Sequence, residues 1–303
     1  MRRAVVDLGS NTMRMEIYDE VKGKMKHIVS AKDVVGLISY TEKGILSEEG
    51  MLRMVDALCG FRETADALNV EHICCFATAG LRAVKNADEA VQLAEERTGI
   101  VIQVISGEEE AQLDFVGAHI PDDVTDGLVV DMGGGSTEIV HFSGAKSKEF
   151  ISLPYGSLYL YKRFVKNIIP TSGELQKIKK YVDHQLGKIE WLQDVKGHIC
   201  LIGGTGRAIV RLHRDLYKRP AEPLDMYTFP SPDIKNMENW VMAHKKMGAK
   251  RVLRVAPERI HTILPGLAAI GRLIVHTGSA SVSLSSGGVR EGYIRKTAQK
   301  DKT

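Results

Sequence analysis

The chain has 303 residues, 44% of them hydrophobic and 26% charged, a composition that excludes a disordered or fibrous protein and allows one large domain or two ordinary ones. Its 41 basic and 38 acidic residues leave a formal charge of +3, too near neutral to mark a nucleic-acid-binding protein. No apolar run reaches membrane-spanning length, and Met1-Arg2-Arg3 leads into a strand rather than a leader. Cys59, Cys74, Cys75 and Cys200 lack metal-site spacing; Cys74 and Cys75, inside the apolar stretch His72 to Phe76, read as buried free thiols, and a cytoplasmic protein is expected.

In chain order, Val5-Val6-Asp7-Leu8-Gly9-Ser10-Asn11-Thr12 followed by Met13 to Ile17 predicts a strand, a tight turn and a returning strand. Residues 21–40 read as further extended structure. Ser47 caps a helix to Ala67, with Leu52, Val55, Leu58 and Phe61 at helical spacing. A strand is expected over Val70 to Thr78, a helix from Ala79 to Arg97, a strand from Ile100 to Ile105 and a helix start at Ser106. Pro121-Asp122-Asp123 breaks this rhythm, so the junction is placed near Gly117 to Asp126. The domains are then 1–120 and 121–303, the last helix being a candidate to return to the first. The second half opens on a hairpin at 128–142. Helices follow over Ser157 to Lys166 and Ser172 to Trp191, then a strand at 198–202 and a helix from Thr205 to Tyr217. Residues 218–232, with Pro220, Pro223, Pro230 and Pro232, read as an irregular connection. The class is α/β.

The second hairpin repeats the first: Val129-Val130-Asp131-Met132-Gly133-Gly134-Gly135-Ser136-Thr137-Glu138. A lone Asp-x-Gly turn is commonly structural, but turn chemistry does not require the preceding Val-Val-Asp to recur. A loop of small residues offers backbone N–H groups to phosphate oxygens, and the strand-end carboxylate can hold a divalent cation. Two such loops suggest facing half-molecules with a phosphate chain between them. A third glycine cluster, Gly203-Gly204-Thr205-Gly206-Arg207, follows a strand and opens a helix whose N-terminal amides suit an anion. The chain has no Gly-Lys-Ser/Thr P-loop, and Ile209 stands where a dinucleotide fingerprint would need Gly or Ala. On that helix Arg207, Arg211, Arg214 and Lys218 share one face, a candidate track for a longer polyanion or simply a solvated stripe.

Ser106 and Glu109 fit a capping box, which accounts for the acidic first turn and leaves Glu110 as the carboxylate available for water activation. Arg82, at a strand-to-helix corner capped by Thr78, is unfavourable with the helix dipole unless an anionic partner is near. The ten histidines form neither an HxxxH pair nor a Ser/His/Asp pattern.

These residues resemble the exopolyphosphatase and guanosine pentaphosphate phosphohydrolase family, a branch of the actin, sugar-kinase and acetate-kinase superfold. The resemblance rests on five segments in order, covering nearly the whole chain. They are Val6 to Asn11, Ala77 to Arg82, Ile105 to Ala111, Val130 to Glu138, and Gly287-Gly288-Val289-Arg290-Glu291-Gly292. It implies two actin-like (ribonuclease H-like) α/β domains with an interdomain active-site cleft. It also implies that Glu110 is the general base for a water attacking the terminal phosphoryl group. Asp131 and Glu138 would organise Mg²⁺ with Asp7 nearby. The phosphates would be held by amides around Ser10-Asn11 and Gly134-Gly135-Ser136, by Arg82, and by the turn containing Gly204 and Thr205 with Arg207. Apart from the resemblance, the helical spacing leaves Arg211, Arg214 and Lys218 as the candidate polyphosphate track. A homodimer acting on inorganic polyphosphate or guanosine pentaphosphate, with no nucleic acid and no membrane, follows from the same resemblance.

The chain departs from the family's pattern in two places. Ser285-Ser286 stands where relatives commonly have an acidic residue, and no His-Asp dipeptide marks the extra helical domain of longer members. An ATP-dependent kinase of the same superfold is the alternative enzyme class, with Gly203 to Gly206 as an adenosine contact; Glu110 argues against it. A non-catalytic sensor is disfavoured by the presence of all four carboxylates.

Overall fold

The structure, a computed structural model, describes residues 1–21, 24–219 and 221–300. Two compact units are present: Met1–Glu110 with the final segment from Tyr293, and Ala111–Gly292. The division falls inside one helix after Glu110, earlier than the Gly117 to Asp126 segment where the sequence pattern breaks.

The first unit contains β1 (Arg2–Leu8), β2 (Met13–Val21), β3 (Lys24–Asp33), the short pair β4 (Thr41–Glu42) and β5 (Ile45–Leu46), α1 (Glu48–Ala67), β6 (His72–Ala77), α2 (Ala79–Arg82), α3 (Ala87–Thr98) and β7 (Ile102–Val104). Helix α4 (Gly107–Gly117) carries the chain onward. Among the described residues the sheet order is β3-β2-β1-β6-β7, with β1 to β3 antiparallel and β6 and β7 parallel to β1. Ser47 caps α1 through its Oγ, which accepts from the Gly50 amide at 3.2 Å. The buried face of α1 is Met51, Met54, Val55, Leu58 and Phe61; Leu52, expected there, is exposed.

The helix expected from Ala79 to Arg97 is two helices. Asn86 sits at the break because its side chain forms paired hydrogen bonds with the Leu46 backbone, accepting from N and donating to O, both at 2.9 Å. A partner 40 residues away in sequence thus overrides local helix propensity. Tyr293 belongs with this unit: its ring stacks on Phe76 at 4.7 Å and its hydroxyl donates to Gln103 Oε1 at 3.0 Å.

The second unit contains β8 (Asp126–Met132), β9 (Thr137–Ser143), β10 (Lys146–Leu153), α5 (Ser157–Phe164), α6 (Ser172–Leu186), β11 (His198–Ile202), α7 (Gly203–Leu216), β12 (Thr228–Pro230), α8 (Pro232–Ala243), α9 (Lys245–Val255), α10 (Ile263–Thr277) and β13 (Ser281–Leu284). The chain closes with α11 (Val289–Lys300). The described sheet order is β10-β9-β8-β11-β13-β12. Strands β8 to β10 are antiparallel and β11 is parallel to β8. This repeats the arrangement of the first unit, so the sequence repeat is a repeat of topology. The core is Leu128, Val130, Ile199, Leu201, Leu267 and their neighbours.

Helix α6 stops at Leu186, and a 3₁₀ turn over Glu190–Asp194 holds Trp191. The segment 218–232 is not wholly irregular, because Thr228–Pro230 forms an edge strand antiparallel to β13. Its prolines hide it from sequence reading, yet an edge strand tolerates Pro, and Pro232 suits the first turn of α8. Pro220 lies outside the described residues. Among the described residues no helix is long and apolar enough to cross a membrane.

Candidate active site

Both glycine turns close in the same way. The Gly9 amide donates to Thr12 O at 3.2 Å, and the Gly133 amide donates to Ser136 O at 3.0 Å. Each turn therefore continues a strand that ends in Asp-x, and the differences lie in what surrounds it.

In the first unit Ser10 is buried and its carbonyl accepts from Ile38 N at 2.9 Å, while Asn11 O accepts from Gly36 N at 2.9 Å. Gly80 lies against this turn: a Cβ there would stand 2.9 Å from Ser10 Cα, so α2 approaches too closely for a side chain. Thr78 occupies the cap position, but its hydroxyl donates to Leu8 O at 3.5 Å instead of capping α2. Two residues past Gly80, Arg82 donates from Nη1 to Ile105 O at 3.2 Å and to Glu110 Oε2 at 2.8 Å. The anionic partner expected of Arg82 is thus Glu110. The capping box is complete, with Glu109 N donating to Ser106 Oγ at 3.0 Å and Ser106 N to Glu109 Oε2 at 3.1 Å. Glu109 is engaged with its helix end, and Glu110 is turned inward and buried.

In the second unit the carbonyls of the glycine turn serve α5: Gly133 O accepts from Ser157 N at 2.9 Å, and Gly134 O accepts from Leu158 N and Tyr159 N. Ser136 is buried. Asp131 and Glu138 are direct cross-strand partners on one sheet face. Glu138 is buried and accepts from Ser152 Oγ at 2.7 Å. The Asp131 carboxylate stands over the start of α7, where a Cβ on Gly203 would meet its Oδ1 at 2.3 Å; Gly203 also has φ 70. Only glycine meets both conditions.

Asp7 occupies the equivalent place in the first hairpin, but its cross-strand partner is Arg14. The acidic pair belongs to the second hairpin alone. Among the described residues no group of three or more His, Cys, Asp or Glu converges to hold a metal.

At the glycine corner of α7, Thr205 is buried and its hydroxyl donates to Met132 O at 2.6 Å, which ties α7 to β8. What it retains for an anion is its backbone amide. Arg207 donates from Nη2 to Ser286 O at 3.0 Å. Arg211 and Arg214 are half-buried on α7. Lys218 is a correction to the expected stripe: α7 ends at Leu216 and Lys218 has φ 57, so it does not continue the helical face. Sequence reading missed Arg259, whose Nη2 lies 2.1 Å from where a Cβ on Gly204 would be. Its guanidinium lies directly on the glycine corner.

Among the described residues no histidine joins a carboxylate to a serine, threonine or cysteine through opposite ring nitrogens. His27 uses Nε2 for both Glu16 Oε2 at 2.7 Å and Ser30 Oγ at 3.0 Å. His213 does use both nitrogens, for Asp233 and Tyr227, but that phenol is buried in the core.

The sequence profile of the Ppx/GppA phosphatase family matches residues 16–301. The chain belongs to the Ppx/GppA phosphatase family. A Ppx/GppA member from Aquifex aeolicus is 27% identical, with 100% of this chain and 99% of that one covered at a TM-score of 0.81. A structure described as the A. aeolicus PPX-GPPA enzyme is 28% identical over 98% and 99% of the two chains, with a TM-score of 0.78. An exopolyphosphatase from Cytophaga hutchinsonii, 23% identical over 99% and 98%, shares the fold at a TM-score of 0.89. Ppx/GppA membership makes the chain a phosphatase of the polyphosphate or guanosine-polyphosphate kind. The α/β class read from the sequence is the Ppx/GppA fold.

Proposed function

We propose that the protein is an exopolyphosphatase, hydrolysing the terminal phosphoanhydride of inorganic polyphosphate and releasing orthophosphate. The observation that carries this reading is Glu110, buried in the first turn of α4 and held at one oxygen by Arg82 of α2, the helix whose Gly80 lies against the first glycine turn. A carboxylate fixed in this way can take the proton of an attacking water. Phosphoryl transfer asks little covalent chemistry of a protein, so position and charge neutralisation account for the rate. Amides around Ser10, Asn11, Gly134, Gly135, Ser136, Gly204 and Thr205, with Arg82, Arg207 and Arg259, are the groups we assign to phosphate oxygens.

Asp131 and Glu138 fit a divalent cation: they are hard oxygen donors on one face, and Ser152 orients the Glu138 carboxylate. Magnesium takes few protein ligands and completes its shell with water and phosphate oxygens, in keeping with a two-carboxylate donor set. When bound, the ion supplies neutralisation of phosphate charge. Asp7, paired with Arg14, is a weaker candidate. A cytoplasmic homodimer completes the reading.

The family resemblance implies a second substrate, guanosine pentaphosphate, which the same residues would serve at its 5′ end. Orthophosphate release with Mg²⁺ from long polyphosphate, tripolyphosphate, guanosine pentaphosphate and ATP, side by side, tests the choice. We expect polyphosphate to be preferred, with a length dependence. Preference for guanosine pentaphosphate would move the protein to that substrate, and release from none would sink the hydrolase reading.

A further inference from the structure

Helices α7 and α9 pack side by side in the second unit. Asp215 of α7 holds two guanidiniums of α9 at once, accepting from Arg251 Nη1 at 2.6 Å and from Arg254. Arg251 is fixed again by the Trp240 ring, 5.2 Å away. The sequence of α9 carries Lys245, Lys246, Lys250, Arg251 and Arg254 and no carboxylate, more positive charge in one helix than the net +3 of the whole chain.

Helix stability does not explain this. Arg254 in the last turn suits the macrodipole, but Lys245 and Lys246 sit in the first turn, where cations are disfavoured. A helix shaped for solubility would intersperse carboxylates at i+4 spacing, which also stabilise it. Here the nearest carboxylate, Asp215, is already shared between two arginines. Lys245, Lys246 and Lys250 are exposed.

The position of this charge gives it a direction. Past Val255 the chain turns through Pro257–Arg259 and lays the Arg259 guanidinium on Gly204. From the glycine corner outward, cations therefore succeed one another in the chain: Arg259, then Arg254, Lys250 and Lys246 along about 12 Å of helix, with Arg211 and Arg214 on the adjoining α7. A lone phosphate cannot use such a row, whereas a linear anion whose charge recurs along its length can.

We propose that the α9 face, with Arg211 and Arg214, is a binding surface for the distal part of a linear polyphosphate chain, outside the catalytic groups. This rests on the polyphosphate reading above. Binding there neutralises successive phosphates and releases their counterions, so its strength falls with salt in proportion to the contacts made. The surface governs affinity for long chains and leaves short ones unaffected.

The test is the triple variant K245Q/K246Q/K250Q, which changes no group assigned to chemistry. Phosphate release from tripolyphosphate and from long-chain polyphosphate is measured across a KCl series. We expect kcat/KM on tripolyphosphate to stay within about twofold while KM for the long chain rises about tenfold, and the plot of log KM against log salt to flatten by about two to three. Equal changes for both lengths, or none for the long chain, would overturn the proposal. Should the wild type release phosphate from neither, the functional reading fails separately, and titration of labelled long-chain polyphosphate decides this one. Tighter binding by wild type than by the triple variant supports the surface, and equal binding ends it. Loss of sedimentation with phosphatidylserine vesicles in the variant, at unchanged long-chain binding, would assign the face to a membrane instead and also overturn the proposal.

Discussion

Arg82 Nη1 donates to Glu110 Oε2 across 2.8 Å, joining two residues that stand 28 positions apart on different helices. The same nitrogen also donates to Ile105 O, so the guanidinium is anchored to backbone before it orients the carboxylate. The pair separates two roles that a mutation series can resolve. Glu110→Gln should preserve polyphosphate binding and lower kcat by about two orders of magnitude or more. Arg82→Lys keeps the charge, but its ammonium ends one bond short of Nη1, the nitrogen that serves both acceptors, so we expect kcat to fall by about tenfold. The double variant should be no slower than Glu110→Gln alone, because residues acting as a unit are non-additive. Additive losses in kcat would show Arg82 acting independently of Glu110.

Glycines in the second unit divide by what a methyl group would strike. A Cβ on Gly117 would lie 1.9 Å from Gly288 O, and one on Gly292 would lie 2.0 Å from Leu113 O. Both obstacles are backbone where α4 and α11 cross, and backbone cannot swing aside. A Cβ on Gly204 meets only the end of Arg259, a flexible side chain. Gly117→Ala and Gly292→Ala should each cost about 2 kcal/mol or more in denaturant unfolding. Gly204→Ala should leave the midpoint nearly unchanged and raise KM by displacing Arg259. A Gly204→Ala protein with wild-type KM would remove Arg259 from phosphate binding.

The parts of this site legible in the sequence are those built from near neighbours. Both hairpins declare themselves through a repeated Asp and small-residue turn, and the capping box of Ser106 and Glu109 singles out Glu110 by occupying its neighbour. The parts that were hidden depend on contacts remote in sequence. Arg259 has no local periodicity, and its position follows only from the return of the chain onto Gly204. The break at Asn86 needs Leu46, and the edge strand at Thr228–Pro230 needs β13 to offset its proline. Lys218 continues the spacing of the α7 stripe but lies past the helix end, which spacing alone cannot reveal. The cross-strand register likewise separates Asp7, opposite Arg14, from Asp131, opposite Glu138, although the two sequence copies read alike.

On the metal role proposed for Asp131 and Glu138, that register predicts unequal metal dependence for the two hairpins. EDTA should abolish phosphate release and added Mg²⁺ should restore it. Asp131→Asn should raise the Mg²⁺ concentration for half-maximal activity by about tenfold or more, since loss of even supporting groups costs that much. Asp7→Asn should shift it far less. Activity surviving chelation would contradict the role given to Asp131 and Glu138, and equal shifts would place Asp7 among the ligands.

Two buried histidines make the stability of the second unit depend on pH. His213 stacks between Tyr217 and Phe229, both at 4.2 Å, with Nδ1 2.9 Å from Tyr227 Oη and Nε2 3.1 Å from Asp233 Oδ2. Burial pulls its pKa down, outweighing the attraction of Asp233; nearby Arg219 adds to the lowering and Glu222 opposes it. His198 lies between Ser281 and Ser283, at 2.8 and 2.6 Å, and burial lowers its pKa against the pull of Asp123. Each therefore binds its proton less readily folded than unfolded, where the value is about 6.5. Below that pH the unfolded chain holds more protons, so stability falls as pH falls. The contribution is complete above the unfolded value and is lost as pH drops from there through the lowered folded one. Asp225 and Asp233, held below the ordinary carboxylate value, titrate at lower pH and do not mask this window. Calorimetry from pH 7.5 to 5 should show Tm declining. His213→Gln, which can still bond Asp233 or Tyr227, should flatten the decline by up to about one proton's worth of slope. The same slope in wild type and variant would show that His213 stays neutral throughout and that the acid sensitivity arises elsewhere.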